Sequence, residues 1–224
     1  MMRMIVMNHV QKMRNITEFV QQARIMAVDA ILILSAEQSV QSGTPDTVYN
    51  VVLADDGISR LYRDNPALLI HQVLCNTSQT WQLGWATQML TPTAHRGVGL
   101  LVQHETIKLW RRIINANIQI QVMDMGQYVV GIIVVKDTRL VRRAMLQRVH
   151  DLLKAQVKPV LLFGPPVFAN DLLAWGWLAR HEFTQQTLTK AWDWEVWCDC
   201  ADEVGVLQTY RLPEGREGLI IDFK

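Results

Sequence analysis

The sequence is short of cysteine, of long apolar runs and of net charge, and each shortage excludes a class of protein. Three cysteines in 224 residues, two of them (Cys198 and Cys200) one residue apart, make no disulfide framework, so a reducing compartment is expected. The longest apolar runs, such as YVVGIIVV at 128–135, fall far short of the roughly 20 residues that span a bilayer. The N-terminal stretch MMRMIVMNHVQKMRN is interrupted by Arg3, Asn8 and His9 and lacks a continuous signal-peptide core. Lysine plus arginine (22) nearly cancels aspartate plus glutamate (21), leaving no global field to draw the chain to nucleic acid or an anionic surface. The expectation is a soluble cytoplasmic protein with neither a membrane nor a nucleic-acid partner.

What is present is apolar and well punctuated. Half of the residues are hydrophobic, enough for a substantial core. The clearest organisation lies between Gln127 and Phe183. Short β-branched runs alternate there with segments at a 3.6-residue period, which predicts strand 127–135, helix 139–155, strand 159–163 and helix 167–180, the two strands parallel. Strands joined by a helix of that length form a right-handed crossover.

Upstream, the spacing of Phe19, Val20, Ala23, Met26, Ala27, Ala30 and Leu34 predicts a helix from Thr17 to about Leu34. A polar loop follows at 35–46. Two strand-like runs flank Asp55-Asp56-Gly57 as a hairpin signal, and Pro66 opens a short helix through ALLIHQVL. Residues 81–90 read as a strand, AHRGVGLLVQHETIKLWRRIINA as a turn running into a helix, and 117–124 as a strand turning at Met125-Gly126. The C-terminal runs KAWDWEVWCD, VGVLQTYRL and LIIDF read as strands, the first two antiparallel. The chain has no internal repeat and no convincing linker. The fold class expected is α/β or α+β, one domain over 1–224 with a single mixed sheet, flanking helices and antiparallel C-terminal strands.

Few side chains offer chemistry. VLLFGPPVFANDLLA resembles the opening of the AAA+ nucleotide-binding loop, but Ala169, Asn170 and Asp171 stand where a second glycine, a lysine and a hydroxyl are needed, so no nucleotide hydrolysis is expected. His71, His104 and His150 fall within apolar segments read as helices, and no two stand at a zinc-site spacing. Arg139, Arg142, Arg143 and Arg148 form a basic helix face that reads as solvated, and Cys198 and Cys200 as structural thiols.

TWQLGWATQMLTPTAHRGVGLLVQHETIKLWRR resembles the core motif of the GCN5-related N-acetyltransferase (GNAT) superfamily, a strand, a proline-containing turn, an Arg-Gly-rich loop and a helix. A second alignment to the same superfamily starts at IQIQVMDMGQYVVGIIVV and would place the loop at DTRLVRRAML, which has no glycine. The resemblance implies a GNAT-like fold and an acyl-CoA-dependent N-acyltransferase, with acetyl-CoA as cofactor and an amine substrate. Arg96, Gly97, Val98, Gly99 and Leu100 would cradle the pyrophosphate. His95 and Glu105 are the nearest titratable groups, and neither is identified as a base. The alternative from another class is a non-catalytic interaction or assembly protein with an enzyme-like fold, binding a protein partner or a second copy through the C-terminal strands.

Overall fold

The protein's computed structural model describes residues 2–10, 15–40, 51–54, 59–76, 80–90, 92–103, 107–113, 118–135, 138–140, 142–155, 158, 160–164, 168–186, 191–198, 204–211 and 217–224. The first elements are β1 (Met2–Val10), α1 (Ile16–Ile25), β2 (Ala30–Ser39), β3 (Val51–Leu53), α2 (Pro66–Cys75), β4 (Trp81–Leu90) and β5 (Ala94–Gln103). There follow β6 (Lys108–Ile113), β7 (Ile118–Asp124), β8 (Val129–Val135), α3 (Arg143–Lys154), β9 (Val160–Gly164) and α4 (Ala169–Ala174). The last four are β10 (Leu178–Gln186), β11 (Ala191–Cys198), β12 (Val204–Arg211) and β13 (Glu217–Phe223). The fold is mixed α/β. Among the described residues no helix is long and apolar enough to cross a membrane.

The chain divides into two compact units, Met1–Leu109 with Gly205–Lys224, and Trp110–Val204. The single sheet expected from the sequence is therefore corrected to two, a seven-stranded sheet ordered β12-β13-β1-β2-β5-β4-β3 and a six-stranded sheet ordered β10-β11-β9-β8-β7-β6. The run 191–198 pairs with β10 and β9, while 204–211 belongs to the other sheet. Both are strands, as read, but they are not partners.

In the first unit, Ile5, Met7, Ile31, Ile33, Leu83, Trp85 and Leu101 share one core with Phe19 and Val20 of α1 and with Ala67, Leu68, Ile70 and Leu74 of α2. The helix expected over 17–34 ends at Ile25. Ala27 takes the left-handed conformation at φ 52°, and the Val28 N–H bonds to the Ala23 carbonyl while the Ala27 N–H bonds to that of Arg24. This is a Schellman stop without its usual glycine. The buried run 30–34 beyond it pairs on both sides as β2, which explains apolar residues on both faces. The helix expected after Ala94 is also replaced by strands, β5 and then β6. Residues 98 and 100–102 are buried on both faces of the sheet, so their apolarity follows a strand's environment. α2 begins as predicted: Asn65 Oδ1 accepts from the Ala67 and Leu68 N–H groups, and Pro66 occupies the first turn. Residues 59–64 form no strand, and β3 pairs parallel with β4 instead.

The second unit contains the central strand–helix–strand segment. β8 and β9 are parallel, Val129 opposite Val160 through Ile132 opposite Phe163, as the alternating pattern predicted. α3 lays Leu146, Val149 and Leu153 on the core of Ile118, Ile120, Val122, Ile133 and Leu162. The helix expected over 167–180 is cut to six residues. Gly176 at φ 80° ends it by a second Schellman stop, Trp177 N–H to the Leu172 carbonyl and Gly176 N–H to that of Leu173. Residues 178–186 then turn back as β10.

Candidate functional site

The strand directions gather polar side chains at one edge of the first sheet. β2 runs parallel to β1, and β5 is antiparallel to both β2 and β4. The C-terminal ends of β1, β2 and β4 therefore meet the N-terminal end of β5. Successive side chains on a strand point to opposite faces, so this edge carries two groups.

On the face that packs against α1 and α2, Gln38 is almost fully buried. Its Oε1 accepts from the Tyr62 N–H at 3.0 Å and from Asn65 Nδ2 at 2.7 Å, and its Nε2 donates to the Arg60 carbonyl. One buried amide thus fixes the segment before α2 and orients the residue that caps that helix. His95, opposite Gln38 in register, meets the Tyr62 ring edge-on at 5.4 Å between centroids. Burial, reinforced by the Arg60 charge, pushes the His95 pKa down, so the imidazole is neutral at pH 7.

The opposite face carries the charged pair Glu37 and Arg96. Asn8 lies on the side of β1 away from Ile5 and Met7, and Glu37 on the side of β2 away from Ala36, all three apolar residues belonging to the helix-side core. Arg96, opposite Glu37 in register, donates from Nη2 to Glu37 Oε2 at 3.0 Å. The pair keeps access to solvent, its side chains 23% and 30% exposed. The ladder between β2 and β5 slips between Ile33 and Ala36; within that slip the Leu34 carbonyl accepts from Gln88 Nε2 at 3.3 Å, reaching across β5. Asn8 is buried, and its Oδ1 has no hydrogen-bond partner among the described residues, a costly state that marks a polar edge open to a donor.

Among the five residues expected to cradle a pyrophosphate, Gly97, Val98, Gly99 and Leu100 are buried in a strand whose neighbours on both sides are paired. Their loop-to-helix geometry is replaced by a ladder, and the glycines serve packing. A Cβ on Gly97 would stand 2.6 Å from the Trp85 ring, and one on Gly99 2.6 Å from Ala67 Cβ. Arg96 alone of the five reaches solvent. Glu105, His104, Cys200, Pro165 and Pro166, and the turn at 55–57, lie outside the described residues. Asn8, Glu37 and Gln88 were not singled out from the sequence; a lone asparagine inside the apolar run MIVMNHV was the available signal.

No protein-family model matches this sequence, and no curated protein does. Solved structures do match. An endonuclease/exonuclease/phosphatase family protein from Leptotrichia buccalis superposes with a TM-score of 0.67 at 11% identity, covering all of both chains. A 3′ phosphatase from Neisseria bound to a product DNA hairpin gives 0.58 at 10% identity, and an AP endonuclease from Archaeoglobus fulgidus 0.56 at 8%, each again over the full length of both chains. At such identities the likeness is one of fold, and the fold is that of the endonuclease/exonuclease/phosphatase proteins. It overturns the GNAT resemblance, and with it the acyl-CoA-dependent N-acyltransferase reading, the acetyl-CoA cofactor and the amine substrate. The expectation that nucleic acid is no partner falls too, since neighbours of this fold process DNA. A near-zero net charge limits long-range attraction and says nothing about one local arginine.

Proposed function

We propose that this chain takes a phosphate ester, with nucleic acid as the substrate class, at the edge where Asn8, Glu37, Gln88 and Arg96 collect. The observation that carries the reading is the full-length likeness to nuclease and phosphatase structures, four of them with all of both chains covered. Arg96 supports it chemically: a guanidinium offers phosphate a planar, bidentate fork, and this one sits partly exposed on a strand that fixes its backbone. Hydrolysis of a phosphomonoester or phosphodiester is the activity that the same likeness favours.

The test uses labelled single-stranded DNA, duplex DNA and RNA, with binding followed by anisotropy and cleavage or phosphate release followed on gels with magnesium or manganese present. Binding that weakens on going from 50 to 200 mM salt, as phosphate contacts require, supports the reading. No binding of any of the three, together with no phosphate released from a 3′-phosphorylated duplex, ends it.

A further inference from the structure

Phosphate-ester chemistry is commonly assisted by a divalent cation, which neutralises the phosphate and activates water. The described residues do not fit one. Mg²⁺ wants carboxylate oxygens and keeps its waters, and no group of three or more His, Cys, Asp or Glu capable of holding a metal exists among the described residues. The carboxylates described at this edge are both engaged: Glu37 is held at 3.0 Å by a guanidinium, and Asp64 Oδ2 accepts from the Ser39 N–H at 2.8 Å. A divalent cation entering there would meet Arg96 as a like charge. The amides of Asn8 and Gln88 carry no charge to offset a metal's.

Resting on the reading above, we infer that this edge carries its positive charge in Arg96 itself, and that phosphate is taken directly on the guanidinium without a divalent metal. Glu37 then has a different role from that of a metal ligand. It orients the guanidinium in the register that the β2–β5 ladder sets, and it competes with the incoming phosphate for the same N–H groups. The arrangement is a closed ion pair that an anion must open, so ligand affinity is held down by a residue that never touches the ligand.

The two roles for Glu37 predict opposite signs. With the full chain and a labelled single-stranded oligonucleotide, affinity should be the same in EDTA and in millimolar Mg²⁺ or Mn²⁺. Glu37→Gln, which removes the competing charge, should tighten binding several-fold. Arg96→Ala should weaken it tenfold or more and Arg96→Lys less, so that the lysine variant serves if the alanine variant fails to fold. Mn²⁺ alone, titrated and followed by electron paramagnetic resonance, should show no stoichiometric site. Binding that appears only with metal, or that Glu37→Gln weakens, overturns the inference while leaving the nucleic-acid reading in place. A stoichiometric Mn²⁺ site lost in Glu37→Gln overturns it in the same way. Failure of every oligonucleotide to bind in either condition removes both.

Discussion

Arg3 on the first strand and Asp222 on the last face each other across the β1–β13 ladder and share two hydrogen bonds, Nε to Oδ1 at 2.6 Å and Nη2 to Oδ2 at 3.0 Å. The same guanidinium donates to the Met26 carbonyl, and the Arg3 N–H donates to Asp29. One side chain thus ties the two ends of the chain to each other and to the stop after α1. The hydrogen bond to Arg3 is the main cause that holds the Asp222 carboxyl below its usual range, and the pairing is bidentate, the geometry that gives an ion pair specificity.

Asp222→Asn should therefore destabilise the protein by roughly 1–2 kcal/mol at pH 7, a value kept modest because the Arg3 side chain is a third exposed. A depressed carboxyl pKa contributes stability above its unfolded value, near 3.8, and loses it as pH falls through the folded value. The gap between wild type and variant should then be full at pH 7 and narrow progressively in acid below pH 3.8. Urea melts at pH 7 and in acid check it, and a gap that stays full at low pH would mean that the carboxylate is not the source.

The glycines of β5 show how a motif can be legible and yet misread. Gly97 and Gly99 beside Arg96 carry the sequence signal of a phosphate loop, whereas in the fold they make room for the Trp85 ring and for Ala67 of α2. Gly99→Val should thus lower stability by about 1–3 kcal/mol, because its Cβ meets another Cβ at 2.6 Å in a packed core that yields little. A thermal melt decides the matter: a melting temperature within 2 °C of wild type would show that the strand and α2 move apart freely.

What could be read from the sequence, and what could not, follows the same division. The run 129–135, α3 and the run 160–164 were legible because each strand is a short, continuous apolar run and α3 has one apolar stripe. The Asn65 cap and Pro66 carried their own signature. The strands β2 and β5 were hidden because both faces are buried, which erases alternation, and because Ala27 terminates α1 where glycine would have announced the stop. Sheet membership depends on partners far apart in sequence, such as residues 3 and 222, and periodicity does not encode it. The strand-end site was missed for that reason: Glu37 lies in a segment read as loop, and it meets Arg96 only through the β2–β5 register.

The last expectation concerns pH. His71 on α2 is buried, and its Nε2 lies 3.1 Å from the Trp81 carbonyl, so that nitrogen carries the hydrogen and donates. Nδ1 is buried without a partner among the described residues, and protonating it would place a charge in the core with nothing to accept its hydrogen. Burial is accordingly the leading cause that lowers the His71 pKa, outweighing the carbonyl contact. His95 is shifted the same way. An unfolded chain binds these protons near 6.5 while the folded chain refuses them, so stability is full above that pH and falls as pH drops below it. The slope is about 1.4 kcal/mol per pH unit for each histidine until its folded pKa is reached. Melting temperatures measured from pH 7.5 to 5 should decline below about pH 6.5. His71→Gln, which keeps a donor near the Trp81 carbonyl but cannot titrate there, should melt lower than wild type at pH 7.5 and show a shallower decline. An unchanged slope in that variant would move the pH sensitivity away from α2.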